Sequence, residues 1–184
     1  MVVVSLPEIN SRLCMCSLPT AMSALNEKTI CDQYGRVTDM SAVVFVCVAS
    51  DTVCKQFNLH KNVVQCPMRD LPDMGDEFIE DRVTAAVAVV NSALLTGKTT
   101  VVFCNQGRNR APFVCVMYAK KHGNKASGCV VKYVRRENRG RGKNILTNRE
   151  FLDYISSHTY IHLTKPVLKL SVFRRVLRAF ARAA

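Results

Sequence analysis

No apolar run in the 184 residues approaches the roughly 20 residues that a membrane-crossing helix needs. The sequence therefore predicts no spanning helix. The first residues, Met1-Val2-Val3-Val4, are few and lack a basic flank, so no secretory leader is expected. Histidine is scarce. His60, His122, His158 and His162 stand at no ligand spacing from one another. Cys14-x-Cys16 lacks the usual zinc spacing and has no matching Cys/His pair. Neither a metal nor a cofactor is required by this pattern. Internal repeats and low-complexity tracts are absent. Acidic residues are few, 14 against 26 Lys and Arg, for a net charge of +12.

Apolar residues, in contrast, are plentiful. They make up 48% of the chain, too many for a disordered polymer. The length suits one domain with a proper core and one appended segment. Nine cysteines are present, an odd number. Most sit inside apolar runs, Cys47, Cys115 and Cys129 among them, as buried thiols do. This points to a reducing cytoplasmic or nuclear setting rather than to a disulfide scaffold.

The positive charge is unevenly placed. Residues 1–131 hold 13 Lys and Arg against 11 Asp and Glu, a net of +2. Residues 132–184 hold 13 against 3, a net of +10. A field of this sign favours phosphate-rich partners, whether phosphoprotein, RNA or an anionic membrane; a solvated surface is the plain alternative. Oligomeric state is not legible.

The pattern of elements predicts an α/β fold. Residues 10–17 read as a short strand and 20–26 as a helical turn. Ala42–Val48 is a continuous apolar run of the kind found in a parallel strand buried on both faces. Asn62–Cys66 is a second strand. Pro67 and Pro72 frame a loop that holds Arg69, Asp70 and Asp73. Asp76-Glu77 opens a helix to about Leu95, acidic in its first turn as the dipole prefers. Gly97 ends it. Its Phe78, Val83, Ala86, Val87 and Val90 form an apolar stripe. Thr99–Phe103 is the next strand. A helix starts at about Arg110, another spans 126–138, and Thr147 or Asn148 caps one running to about Ser156. The order implies a central, mostly parallel sheet with helices on both faces. Ligands of such sheets sit at the carboxyl ends of the strands. Residues 1–160 are read as this domain. Residues 161–184 are read as a basic amphipathic C-terminal extension, in which Pro166 marks a boundary and Lys169–Ala183 a helix with Val172, Phe173, Val176, Leu177 and Phe180 at helical spacing.

The chemistry concentrates in Val101-Val102-Phe103-Cys104-Asn105-Gln106-Gly107-Arg108-Asn109-Arg110-Ala111-Pro112. A β-branched strand enters a short loop with a central glycine, and the loop opens a helix with proline in its first turn. Backbone N–H groups closing onto a helix N-terminus form a ready anion site. The same field favours the thiolate of a cysteine at its mouth. An arginine on the first turn can grip two phosphate oxygens at once. Cys104 is thus the candidate nucleophile and Arg110 the candidate clamp. Asn105, Gln106, Gly107, Arg108, Asn109 and Arg110 form the candidate phosphate cradle. Arg108 either adds to the field or points to solvent. A leaving oxygen needs a proton, and Asp70, Asp73 and Asp76 are the nearby carboxyls. Asp76 suits the helix start and Asp73 a turn.

This stretch resembles the loop of the cysteine-dependent protein tyrosine phosphatases, His-Cys-x-x-Gly-x-x-Arg-Ser/Thr. The chain's size points to the small dual-specificity branch. Cys66-Pro67-Met68-Arg69-Asp70 is similar to the strand end and loop that carry that family's general acid, which favours Asp70. Ile145-Leu146-Thr147-Asn148-Arg149-Glu150-Phe151-Leu152 is similar to the entry of its last core helix. The resemblance implies a phosphatase-like fold and hydrolysis of phosphate monoesters on proteins through a cysteinyl-phosphate. The family's His before the nucleophile, which orders the loop, is Phe103 here. Its Ser/Thr after the arginine, which helps the sulfur leave, is Ala111. These departures keep a phosphate-binding pseudophosphatase in view. Asn109-Arg110 also occurs in the family's RNA 5′-triphosphatase and diphosphatase branch. A rhodanese-like sulfurtransferase would also use a cysteine loop, but the acid-loop and last-helix matches favour the phosphatase.

Overall fold

Among the described residues two neighbouring strands at the centre of the sheet are buried almost throughout. In the computed structural model, which describes residues 2–70, 76–123, 127–139 and 144–158, β5 (Val43–Cys47) is buried at every position and β7 (Thr99–Cys104) at all but its first. They pair in parallel, Val43 beside Thr99 through Cys47 beside Phe103. β2 (Leu13–Ser17) lies parallel on the other side of β7, and β6 (Val63–Gln65) lies parallel beyond β5. The full order is β4-β3-β1-β2-β7-β5-β6. β1 (Val2–Ser5) runs antiparallel to β2 and parallel to β3 (Thr29–Asp32), and β4 (Val37–Asp39) closes the far edge antiparallel. The mixed α/β architecture with a largely parallel sheet is the one the element pattern implied. The strands β1, β3 and β4 on one side of the sheet are additions to it.

Strand alternation sends successive side chains to opposite faces, and two cores result. One face holds Val101 and Phe103 with Phe45, Cys47, Phe57 and residues of α1 (Leu18–Glu27) and α2 (Asp51–Lys55). The other holds Val102 and Cys104 under α3 (Asp76–Leu95), α4 (Arg110–His122), α5 (Ser127–Glu137) and α6 (Arg149–Ser157). α4 is the central helix of that layer. Residues 110 to 119 are all buried, because α3, α5, α6 and the sheet enclose it. Of the predicted stripe in α3, Val83, Ala86, Val87 and Val90 are buried, joined by Ile79, Val89 and Leu94, while the Phe78 side chain lies outside what the structure describes. Gly97 follows with φ +81°, a left-handed conformation that suits glycine.

Cys129 departs from the sequence reading. It is exposed, because α5 buries the stripe of Val130, Tyr133 and Val134 and Cys129 falls outside it. Cys47 and Cys115 are buried as expected. Among the described residues no helix is long and apolar enough to cross a membrane. The basic C-terminal helix expected after Pro166 lies outside the described residues, as does Asp73.

Candidate active site

β7 delivers Cys104 to the carboxyl end of the sheet, and after five intervening residues α4 begins at Arg110. The turn between them demands glycine twice over. Gly107 has φ +68°, and a Cβ there would stand 3.0 Å from the Cys16 carbonyl and from the Ser17 nitrogen. The loop is therefore pressed against the end of β2, so closely that a Cβ would force the β2 backbone to give way.

The loop's carbonyls are taken up outside it. Asn105 O accepts from Leu18 N at 3.1 Å, and Arg108 O accepts from Leu146 N at 2.7 Å. Asn109 O accepts from Phe113 N within the helix turn at 2.9 Å. The backbone N–H groups of residues 105 to 109 donate to no acceptor among the described residues. Such a ring, set at the N-terminus of a 13-residue helix, presents positive potential to whatever lies over it.

Arg110 is only 7% exposed. One of its terminal nitrogens donates to Met68 O at 3.1 Å, while Nε is buried and has no hydrogen-bond partner. A buried, unmatched guanidinium donor is costly unless a ligand meets it. Asp70 Oδ2 lies 3.7 Å from Arg110 Nε. Its Oδ1 accepts from Asn148 Nδ2 at 3.2 Å. Asp76 opens α3.

The two residues that depart from the resembled pattern, Phe103 and Ala111, are both buried. Phe103 points away from Cys104, to the opposite face of the sheet. It is fully buried between Phe45 and Phe57, with ring centroids 6.1 and 5.2 Å away in edge-on geometry. It has no polar atom with which to order the loop. That work falls to Asn109, whose Oδ1 accepts from Thr147 N at 2.9 Å, Thr147 Oγ1 at 3.1 Å and Asn148 N at 3.2 Å. Arg108 leans outward and donates through Nε to Asn144 O at 3.2 Å. Leu146, in the left-handed region at φ +54°, lets the segment 144–148 fold closely over the loop. Ala111 is fully buried in α4. Thr147 and Asn148, read from the sequence as helix caps alone, are thus part of the site's framework. Only the capping half of that role has a local signal.

A cavity of about 430 Å³ opens beside the loop, lined by Ser17, Pro19, Thr20, Gln106, Gly107 and Ile145 among others. It reaches the loop from the β2–α1 side, and Cys104, Arg110 and Asp70 are not among its lining residues. The other buried cysteines are packing groups. Burial pushes the thiols of Cys14 and Cys66 up to about 12 and raises that of Cys115.

No family model matches the sequence, and no curated protein sequence matches it. Solved structures do match. Human DUSP28 superposes with a TM-score of 0.59 at 16% identity, over 82% of this chain and 90% of that one. A mouse putative dual specificity phosphatase, complexed with zinc tungstate, gives 0.59 at 16%, over 82% and 84%. The human tyrosine phosphatase-like serine/threonine/tyrosine-interacting protein gives 0.58 at 12%, over 82% and 92%. The chain shares the fold of these phosphatase and phosphatase-like structures.

Proposed function

We propose that the chain is a dual-specificity-type phosphatase that hydrolyses phosphate monoesters on proteins through a cysteinyl-phosphate. One observation carries this reading: a buried arginine whose Nε–H makes no hydrogen bond, at a helix N-terminus beside a loop that starts from a cysteine and whose backbone amides donate to no acceptor among the described residues. That arrangement suits a tetrahedral oxyanion.

In the proposed cycle the Cys104 sulfur attacks phosphorus, and the bond to the leaving oxygen breaks. Asp70 gives that oxygen its proton. Loop amides and Arg110 meet the charge as it spreads over the three equatorial oxygens. Water then cleaves the S–P bond, returning a proton to Asp70. The bonds from Asn109 and Leu146 supply loop order that the absent histidine would otherwise give, which favours turnover over a binding-only role. Residues 1–160 are the proposed phosphatase domain. Residues 161–184 are a basic extension that adds affinity for polyanionic partners.

The test is turnover of a small aryl phosphate, a phosphopeptide and a 5′-triphosphorylated RNA, with Cys104→Ser alongside. Hydrolysis of the first two that disappears in Cys104→Ser is expected, with a trapped phosphoenzyme in rapid quench of the parent. Hydrolysis confined to the RNA would move the substrate to the nucleic acid branch. Phosphate binding without turnover would make the chain a binding module.

A further inference from the structure

Asn148 stands at the head of α6, 78 residues from Asp70 in sequence, yet its side chain touches the Asp70 carboxyl. The orientation of its amide is set by capping. Phe151 N–H needs an acceptor at the first turn of α6, and Asn148 Oδ1 supplies it at 3.3 Å. With the oxygen so committed, Nδ2 is the atom that faces Asp70 Oδ1, at 3.2 Å. The backbone N–H of the same residue donates to Asn109 Oδ1 in the candidate phosphate loop. One residue therefore ties together the helix head, the loop and the acid-bearing segment.

Resting on the reading of Asp70 as the general acid, we infer that Asn148 is a positioning residue that determines which Asp70 oxygen delivers the proton. Oδ1 is held as an acceptor by the Asn148 amide. Oδ2 lies 3.7 Å from Arg110 Nε, on the side of the candidate phosphate site, and carries the proton of the acid form once phosphate oxygens engage that N–H. As that proton passes to the leaving oxygen and the P–O bond breaks, the negative charge left on the carboxylate is met at Oδ1 by the amide already in place. In the second step the same Oδ2 takes a proton from the attacking water. Without Asn148 the carboxyl can rotate and present either oxygen, and the proton is misplaced for part of the time.

The experiment uses the full chain with Asn148→Ser and Asn148→Asp. Both keep an oxygen suited to the helix cap and lose the amide donor. A series of aryl phosphates from activated to poor leaving groups is the probe, with kcat and KM resolved for each. Asn148→Ser is expected to lower kcat by about ten-fold for the poorest leaving groups and by little for the most activated, with KM scarcely moved. Asn148→Asp should act in the same direction. In an Asp70→Asn background, Asn148→Ser should have no further effect, because the carboxyl it positions is gone. A loss uniform across the series, or one that adds fully to Asp70→Asn, would overturn the inference. So would collapse of the thermal unfolding midpoint in both cap-retaining variants, since Asn148 would then be structural. Failure of the underlying reading looks different: the parent's turnover would not depend on Cys104 at all.

Discussion

β5 and β7 are neighbours, run parallel, and both end in a buried cysteine followed by a turn into a helix. Only one of them makes a candidate site. After Cys47 the chain passes through Val48, Ala49 and Ser50 into the five-residue α2, and no residue of that turn has positive φ. The Cys47 sulfur lies 3.1 Å from that of Cys54, and this contact together with burial pushes its thiol above the ordinary value. After Cys104 the chain makes a five-residue loop, turns left-handed at Gly107, and enters the 13-residue α4 with Arg110 buried at its head. A cysteine at a strand end is thus not a site by itself. The loop that leaves its amides unpaired, the long helix behind them and the buried cation are what set the second turn apart.

The largest expected effect separates the two cysteines directly. Cys104→Ala should abolish phosphate release, whereas Cys47→Ala should leave kcat within about two-fold and act on stability instead, as removal of a small buried group does. Similar losses from both would dissolve the distinction. Next comes the clamp. Arg110→Lys keeps the charge and loses the fork, and kcat for an aryl phosphate should fall by about two orders of magnitude. A value unchanged in steady-state assays would remove Arg110 from the site.

Gly107→Ala probes the turn that β5 lacks. The new Cβ meets β2 backbone at 3.0 Å and the backbone is left-handed. A stability loss of about 1–2 kcal/mol in chemical denaturation is expected, together with weaker binding of inorganic phosphate or tungstate by calorimetry. Unchanged phosphate affinity would show that the loop's shape is not what binds.

The smallest effect concerns the packing thiols. Cys14 and Cys66 are pushed from 9.0 to about 12 by burial. Above pH 9 the unfolded chain loses these protons while the folded one keeps them, so the unfolded state binds fewer protons and stability falls as pH rises. Under reducing conditions the thermal midpoint should decline between pH 9 and pH 10.5, and the double variant Cys14→Ala, Cys66→Ala should decline less steeply. An identical slope would assign the alkaline loss to other groups.

The loop from Cys104 to Arg110 was readable because its parts are consecutive. Strand, glycine, helix start and arginine all fall within a dozen residues, and the local rules that shape them need no distant partner. The same holds for β5, α3 and the cap of α6. The strands β1, β3 and β4 are not legible in the sequence because each takes its place from pairing rather than from a pattern of its own. The fate of Phe103 was half legible. Its apolar identity ruled out loop ordering by hydrogen bond, but the packing between Phe45 and Phe57 came only with the sheet.

By itself, then, the sequence determined the α/β order of elements, the cysteine loop and its helix, because hydrophobic period and backbone permissiveness act over short range. Tertiary structure alone decided that Asp70 comes near Arg110, that Asn109 is held by Thr147 and Asn148, and that Cys129 faces solvent while Cys47 does not. Those outcomes depend on which segments far apart in the chain are brought together. Side chains such as Asn148 and Asp70 cannot meet until α6 packs on α4 and the whole sheet is in register.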